Sequence, residues 1–418
     1  MQQRKILTVK SEKLKIINDP IYGFIQIPYE SVFQLIEHPF FQRLRRIRQL
    51  GLTHLVYPGA HHTRFHHAMG AMHLMTEAIE VLRGKGHEIL DHEAEAVTTA
   101  ILLHDIGHGP FSHALENSLI KATTHEELSE LFMNRLNKDL NGSLTLAIKI
   151  FRNQYHKQFL HQLVSGQLDM DRLDYLNRDS FFTGVNEGVI SSDRIIKMLD
   201  IKNDELAIEA KGIYSIEKFI VARRLMYWQV YLHKTVVSAE YLLINILKRA
   251  KELLQKNIEL FSTPALKNLL SHDYSREDFV LNEKLLDDFA ALDDSDISAS
   301  VKVWGSHSDK TLSELCMRLV NRRLFKIILQ DKPFEEKFIS ETRQRVIDTI
   351  GVPETEIDYF FFQGKLINNA YNSHSDKINI LYKDGSMCDI ADAADTLNIK
   401  ILSEPVEKYY LCFPDIIK

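Results

Sequence analysis

Residues 91–110 read DHEAEAVTTAILLHDIGHGP. Acidic residues open this stretch, an apolar half follows, and Gly107, Gly109 and Pro110 close it, as at the end of a helix. His104 and Asp105 therefore stand where the apolar run AILL ends, and burying an unpaired carboxylate there is costly. Histidines crowd around the stretch: 12 of the 19 fall between His54 and His125, where even spreading puts about three. A core has no need of such a cluster, whereas metal binding and proton transfer near neutral pH do.

Helical signals surround it. HHAMGAMHLMTEAIEVLRGKG (66–86) reads as an amphipathic helix stopped by Gly84 and Gly86. SVFQLIEHPFFQRLRRIRQLG (31–51) pairs apolar residues at three- and four-residue spacings with Arg43, Arg45, Arg46 and Arg48 between them, and predicts helix up to Gly51. One further helix is expected from Ser112 and another after Thr124, where Thr124 and Glu127 form a capping box. SGQLDMDRLDYLNRDSFF (165–182) is helical and FFTGVNEGV breaks it. From Ser215 to Asn257 neither Gly nor Pro interrupts a helical period, which predicts one helix of about ten turns.

The β signals are short. KLKIINDPIYGFIQIP (13–28) reads as a small hairpin broken by Asp19-Pro20 and Gly23, and ELAIEAKGIYSI (205–216) as a hairpin turning at Lys211-Gly212. After residue 335 the texture changes to DYFFFQGKL and KINILYKDGSMCDI, with an Asp384-Gly385 turn. The expected organisation is a catalytic domain over 1–335, with its motif core about 40–247, and a C-terminal α+β subdomain over 336–418.

Composition narrows the class. With 57 acidic against 51 basic residues the net charge is −6, which disfavours nucleic acid as the main partner. Cys316, Cys388 and Cys412 are too few and scattered for a disulfide framework or a cysteine metal cage. MQQRKILTVK lacks an apolar core like that of a secretion signal, and no uncharged run of 18 apolar residues follows, so a cytoplasmic protein with no membrane role is expected.

Four positions form a chemical set: His67 early on one helix, His104 and Asp105 at the end of the next long one, and Asp171 on a later helix. Two imidazoles and two carboxylates make a mixed shell suited to a divalent ion such as iron, manganese, nickel or zinc, and tolerant of magnesium. Ligands drawn from separate helices are what a bundle core positions. Each alone has a blander reading, as a helix-end charge pair or a satisfied buried histidine; the combination favours the metal.

The H…HD…D arrangement is the signature of HD-domain metal-dependent phosphohydrolases. RQLG (48–51), YPGAHHTRFHHAMG (57–70), LLHDIGHGPFSH (102–113), HEE (125–127) and DMDRLDYLNRD (169–179) together resemble the deoxynucleotide triphosphohydrolase branch, from about Phe40 to Leu247. The resemblance implies a mainly α fold, with a helical-bundle core, small β-hairpins and a C-terminal α+β subdomain. It implies His67, His104, Asp105 and Asp171 as metal ligands, and a dNTP cut at the α-phosphate to deoxynucleoside and triphosphate. His108 is the implied general acid, supported by His125 and Glu116. Arg64, His113, Arg172 and Arg223 are implied phosphate contacts, although Arg172 replaces the usual lysine. Tyr175 and Asp179 would hold the sugar 3′-hydroxyl. Tyr231, Gln49 and Leu50 would form the wall excluding a ribose 2′-hydroxyl. Glu37, Gln42 and Arg45 align with an effector-nucleotide site, with Glu37 in place of an aspartate, and a homo-oligomer, a tetramer by resemblance, is expected.

Two other readings remain open at this point. One keeps the ion but changes the substrate to a nucleoside monophosphate, a cyclic dinucleotide or a guanosine alarmone. The other is a non-catalytic nucleotide or single-strand nucleic-acid binder, which local arginine clusters keep open but a complete ligand quartet disfavours.

Overall fold

A computed structural model describes residues 15–111, 120, 123–368, 371, 377–395, 399 and 404–415. The expected helix from Ser112, with His113 and Glu116, lies outside the described residues. The architecture is mainly α, as expected, with three small sheets among the described residues.

The first hairpin is present. β1 (Ile16–Asp19) pairs antiparallel with β2 (Gly23–Gln26), and the Asp19 carboxylate accepts from the backbone of Ile21 and Tyr22 at 2.9 and 3.1 Å to hold the turn. The helix expected over 31–51 is instead broken. α1 (Glu30–Glu37) stops because the residue before proline avoids the helical region: His38 has ψ 138 ahead of Pro39. A short α2 (Pro39–Gln42), a 3₁₀ turn (Arg43–Arg46) and a second 3₁₀ turn (Gly51–Leu55) follow.

α3 (Arg64–Gly84) is apolar nearly all round and buried over much of its surface, the signature of a central helix. Met69 and Met72 face one hydrophobic core while Leu74 and Met75 face a second. α4 (Asp91–Leu103) packs on it; α5 (His125–Asp139) opens with the expected capping box, Glu127 N donating to Thr124 Oγ1 at 3.3 Å. α6 (Thr145–Phe151) and α7 (Gln158–Val164) lead to α8 (Met170–Thr183), which packs along α3. Asp169 caps the start of α8, and Gly184, at φ 75, ends it.

Two expectations fail here for local reasons. The hairpin turn lies not at Lys211-Gly212 but at Asn203-Asp204, both at positive φ (55 and 64), which joins β3 (Leu199–Lys202) to β4 (Glu205–Glu209). Asn and Asp tolerate that region, and paired positive φ suits the tightest hairpin turns. A short α9 (Ser192–Lys197) precedes this hairpin. Ile213 already opens α10 (Ile213–Met226). The long helix is likewise divided: a π-helical turn covers Tyr227–Tyr231, and α11 (Lys234–Gln255) starts afresh with the His233 ring as cap. No Gly or Pro marks that break; a π turn re-aims side chains, often at functional sites.

Helices continue between Pro264 and Val320. β5 (Phe325–Gln330), β6 (Phe362–Asn368) and β9 (Val406–Pro414) form an antiparallel sheet in the order β5-β9-β6. β7 (Asn379–Leu381) adds parallel to β4 and β8 (Met387–Asp389) pairs with β7. The boundary expected near 335 thus falls between β5 and β9, which are paired, and β7 joins the tail to the β3-β4 hairpin. Among the described residues no helix is long and apolar enough to cross a membrane.

Candidate active site

The first turn of α3 carries Arg64 and His67, three residues apart and so on one face. The end of α4 brings His104 and Asp105, and the first turn of α8 brings Asp171. His67 Nε2 lies 3.0 Å from Asp171 Oδ1 and 3.4 Å from His104 Nε2; His104 Nε2 lies 3.5 Å from Asp171 Oδ1. Asp105 closes the group, with Oδ1 at 3.4 Å from His104 Nε2 and Oδ2 at 3.8 Å from His67 Nε2. All four positions named from the motif meet in space. His67, His104 and Asp171 offer ligand atoms within 4.8 Å of one another, as do Asp105, His108 and His125.

The donor chemistry fits a divalent ion. His67 Nδ1 is engaged by Asp174 Oδ2 at 2.7 Å and His104 Nδ1 by the Ile101 carbonyl at 2.6 Å. Each Nδ1 therefore carries the proton, leaving both Nε2 lone pairs aimed at the shared space, a carboxylate–histidine arrangement that orients metal ligands. Two lone pairs at that separation repel unless a cation lies between them. Charge points the same way. Burial opposes protonation of His67, but Asp171 and Asp174 outweigh it and raise the imidazole to about 10. Burial also opposes charge on Asp105, yet His104, His108 and Arg64 hold it well below the usual carboxylate range. A buried site that so favours positive charge suits a dication.

Glycines make these approaches feasible. A Cβ on Gly70, one turn past His67, would stand 2.0 Å from Asp174 Oδ1 and 2.2 Å from an Arg178 nitrogen. A Cβ on Gly107 would meet Ser129 N at 2.2 Å. Without it, Gly107 N donates to Ser129 Oγ at 2.9 Å, and Ser129 Oγ donates to the His104 carbonyl at 2.6 Å, tying the loop to α5.

His108 is buried, 3.3 Å from Asp105 Oδ1, and stacks on His125 at 3.9 Å between centroids. Burial and then the Arg64 charge hold its imidazole well below the usual histidine value. Arg64 donates to Asp105. A cavity of about 570 Å³ opens beside this cluster, and its wall includes Asp105, His108, His125 and Asp171. Arg64, Arg172 and Arg223 also line it. Arg172 is turned back onto Asp169, while Arg223 Nη1 donates to Gln167 at 3.1 Å; the Nε atoms of both are buried and have no partner among the described residues. Tyr175, Asp179 and Tyr231 line the same cavity, the Tyr231 hydroxyl donating to Asp179 Oδ2 at 2.8 Å. Gln49 and Leu50 line it too. Glu37, Gln42 and Arg45 lie elsewhere, at the surface by α1 and α2. Arg45 Nε donates to Gln42 at 2.9 Å and its guanidinium covers the Phe65 ring.

Several groups were not foreseen. Asp174 couples His67 to a buried Arg178, which donates to Asp174 Oδ2 at 2.9 Å and to Asp19 Oδ2 at 2.8 Å. The spacing from Asp171 to Asp174 to Arg178, three then four, was a usable signal. His62 Nε2 bonds Asp179 Oδ1 at 2.7 Å, and both terminal nitrogens of Arg43 donate to the His108 carbonyl at 2.8 Å. Glu240, on α11, also lines the cavity. No local pattern marks these three.

Residues 64–179 match the HD domain, and residues 190–264 match the HD associated region. The crystal structure of a phosphohydrolase from Bacteroides thetaiotaomicron superposes with a TM-score of 0.92 at 54% identity, over 96% of this chain and 100% of that one. The uncharacterized protein YwfO of Bacillus subtilis is 34% identical over 336 residues, 78% of this chain and 74% of its own length. A deoxynucleoside triphosphate triphosphohydrolase SAMHD1 homolog of Dictyostelium discoideum is 29% identical over 59% of this chain and 51% of its own length. The chain belongs to the HD-domain phosphohydrolase superfamily, in the branch that includes deoxynucleoside triphosphate triphosphohydrolases.

Proposed function

We propose that the protein is a metal-dependent dNTP triphosphohydrolase that splits its substrate at the α-phosphorus into deoxynucleoside and triphosphate. The observation that carries this is a single cavity onto which the His67–His104–Asp105–Asp171 cluster borders, with three arginines and the Tyr175–Asp179–Tyr231 group in its wall. These three groups offer chemistry suited to a reacting centre, a polyphosphate and a sugar.

His67, His104, Asp105 and Asp171 would hold the ion, whether manganese, iron, magnesium, nickel or zinc. When bound, a divalent ion withdraws charge from the phosphoryl group and acidifies water. The remaining work falls to the chain. Arg64, Arg172 and Arg223 take the phosphate charge, and guanidinium forks suit phosphate oxygens. His108, steadied by its stack on His125 and by Arg43 on its carbonyl, carries the proton to the leaving 5′-oxygen once the polyphosphate charge offsets the burial and the Arg64 charge that hold its imidazole low. The Tyr231–Asp179–His62 chain would fix the sugar, and Tyr231 with Gln49 and Leu50 would be the wall that turns away a 2′-hydroxyl.

Incubation with each dNTP and Mn²⁺ or Mg²⁺, with products resolved by anion exchange, is expected to give deoxynucleoside and intact triphosphate. Release of pyrophosphate or orthophosphate instead would refute the α-phosphorus assignment. The same reading carries a homo-oligomer with an effector nucleotide at Gln42 and Arg45. Light scattering with and without dNTP should then show a larger assembly when nucleotide is present, and a monomer under both conditions contradicts it.

A further inference from the structure

Apart from Tyr227 and from Glu126, which pairs with His125, phosphate and sugar contacts leave one stretch of the cavity wall unused. It is formed by Gly51 and Thr53 of the second 3₁₀ turn, Phe111, Leu232 in the bend ahead of α11, and Glu240 in the second turn of α11. The 3₁₀ turn packs on α11, so these residues belong to one surface. Gly51, at φ 48, places its Cα close against Phe111: a Cβ would stand 3.4 Å from the Phe111 carbonyl. Gly51 and Phe111 thus stand side by side in the wall, with no side chain on Gly51 to fill the space beside them. Gln49, whose Oε1 is buried with no partner among the described residues, lines the same cavity.

Glu240 is the charged group of this stretch. None of the described residues hydrogen-bonds or ion-pairs with it, and burial alone raises its carboxyl to about 7. A carboxyl group kept in a cavity wall without a protein partner is destabilising unless a ligand supplies one.

We propose that Glu240 reads the Watson–Crick edge of the substrate base and favours guanine. The inference rests on reading this cavity as a dNTP site. Guanine offers two adjacent N–H donors, the imino N1–H and the amino group, which a carboxylate accepts as a parallel pair. Thymine offers one N–H flanked by two carbonyl oxygens, which face a carboxylate with like partial charge. Adenine and cytosine each offer an amino group beside a ring-nitrogen acceptor and so make one such bond. Good paired contacts of this type discriminate between bases by about tenfold or more.

The test is calorimetric binding of the four α,β-imido deoxynucleotides to the full chain, with turnover of the four natural dNTPs measured separately. The guanine analogue should bind the wild type most tightly, by about tenfold over thymine. Glu240→Gln should collapse that ratio, because an amide complements thymine as well as it does guanine, while inorganic triphosphate binds both proteins alike. Equal affinities in the wild type, or a ratio that survives Glu240→Gln, overturns the inference. A guanine preference that depends on Glu240 in a protein that hydrolyses no dNTP sustains it and overturns the hydrolase reading instead.

Discussion

Asp174 shows how much one side chain can do without touching a substrate. It is fully buried, accepts from His67 Nδ1 and from Arg178, and burial's opposition to its charge is overcome chiefly by Arg178 and His67. Asp174→Asn should loosen the His67 tautomer and weaken divalent-ion binding by about 10–100-fold, as read by titrating the metal-free protein. The fold should persist because Arg178 keeps Asp19, and unchanged metal affinity would remove Asp174 from the account. Glu240 gives a separate residue-scale prediction. Its folded value of about 7 lies above the usual 4.5, so its stabilising contribution is whole below pH 4.5 and is lost as pH rises through 7. Glu240→Gln should therefore be more stable than wild type at pH 8, by up to about 3 kcal/mol, with the two converging near pH 4 in urea melts. A gap that does not vary with pH contradicts this.

At the scale of elements, the site depends on how closely α3 can approach α8. Gly70 lies where any Cβ would collide with Asp174 and Arg178. Gly70→Ala should cost about 2 kcal/mol, in line with overpacked cores, and lower Tm by several degrees. A wild-type melting curve would show that the contact relaxes more freely than the packing suggests. The elements also show what could be read in the chain beforehand. α3, α4 and α8 follow from apolar periodicity and from their caps, and the strings that place His67, His104, Asp105 and Asp171 lie at the ends of these helices. The break at Tyr227–Tyr231 was hidden because neither glycine nor proline marks it and its apolar residues keep the helical period, so that only packing makes the turn π. The turn at Asn203-Asp204 was overlooked for Lys211-Gly212 because glycine is the louder signal. Asp19, Arg43, His62 and Glu240 were silent for another reason: the partners of the first three lie 65 to 159 residues away, and Glu240 has none among the described residues.

Over the whole molecule, α3 runs between two hydrophobic cores and delivers Arg64 and His67 at its N-terminal end, close to where both cores meet the cavity. Distant segments brace that end. Asp294 accepts from Arg48 N at 3.1 Å and from Phe111 N at 3.0 Å, joining the helix Asp294–Trp304 to the residue before Gln49 and to the end of the His108 loop. Removing one cluster carboxylate should therefore abolish ion binding and chemistry while leaving the scaffold standing. The decisive measurement is divalent-metal content, determined by mass spectrometry, beside dNTP turnover for wild type and Asp171→Ala. Stoichiometric metal with triphosphate release in the wild type, and loss of both in a variant that still melts cooperatively, is the predicted result. Wild-type turnover by Asp171→Ala would contradict the claim that this cluster holds the reacting centre.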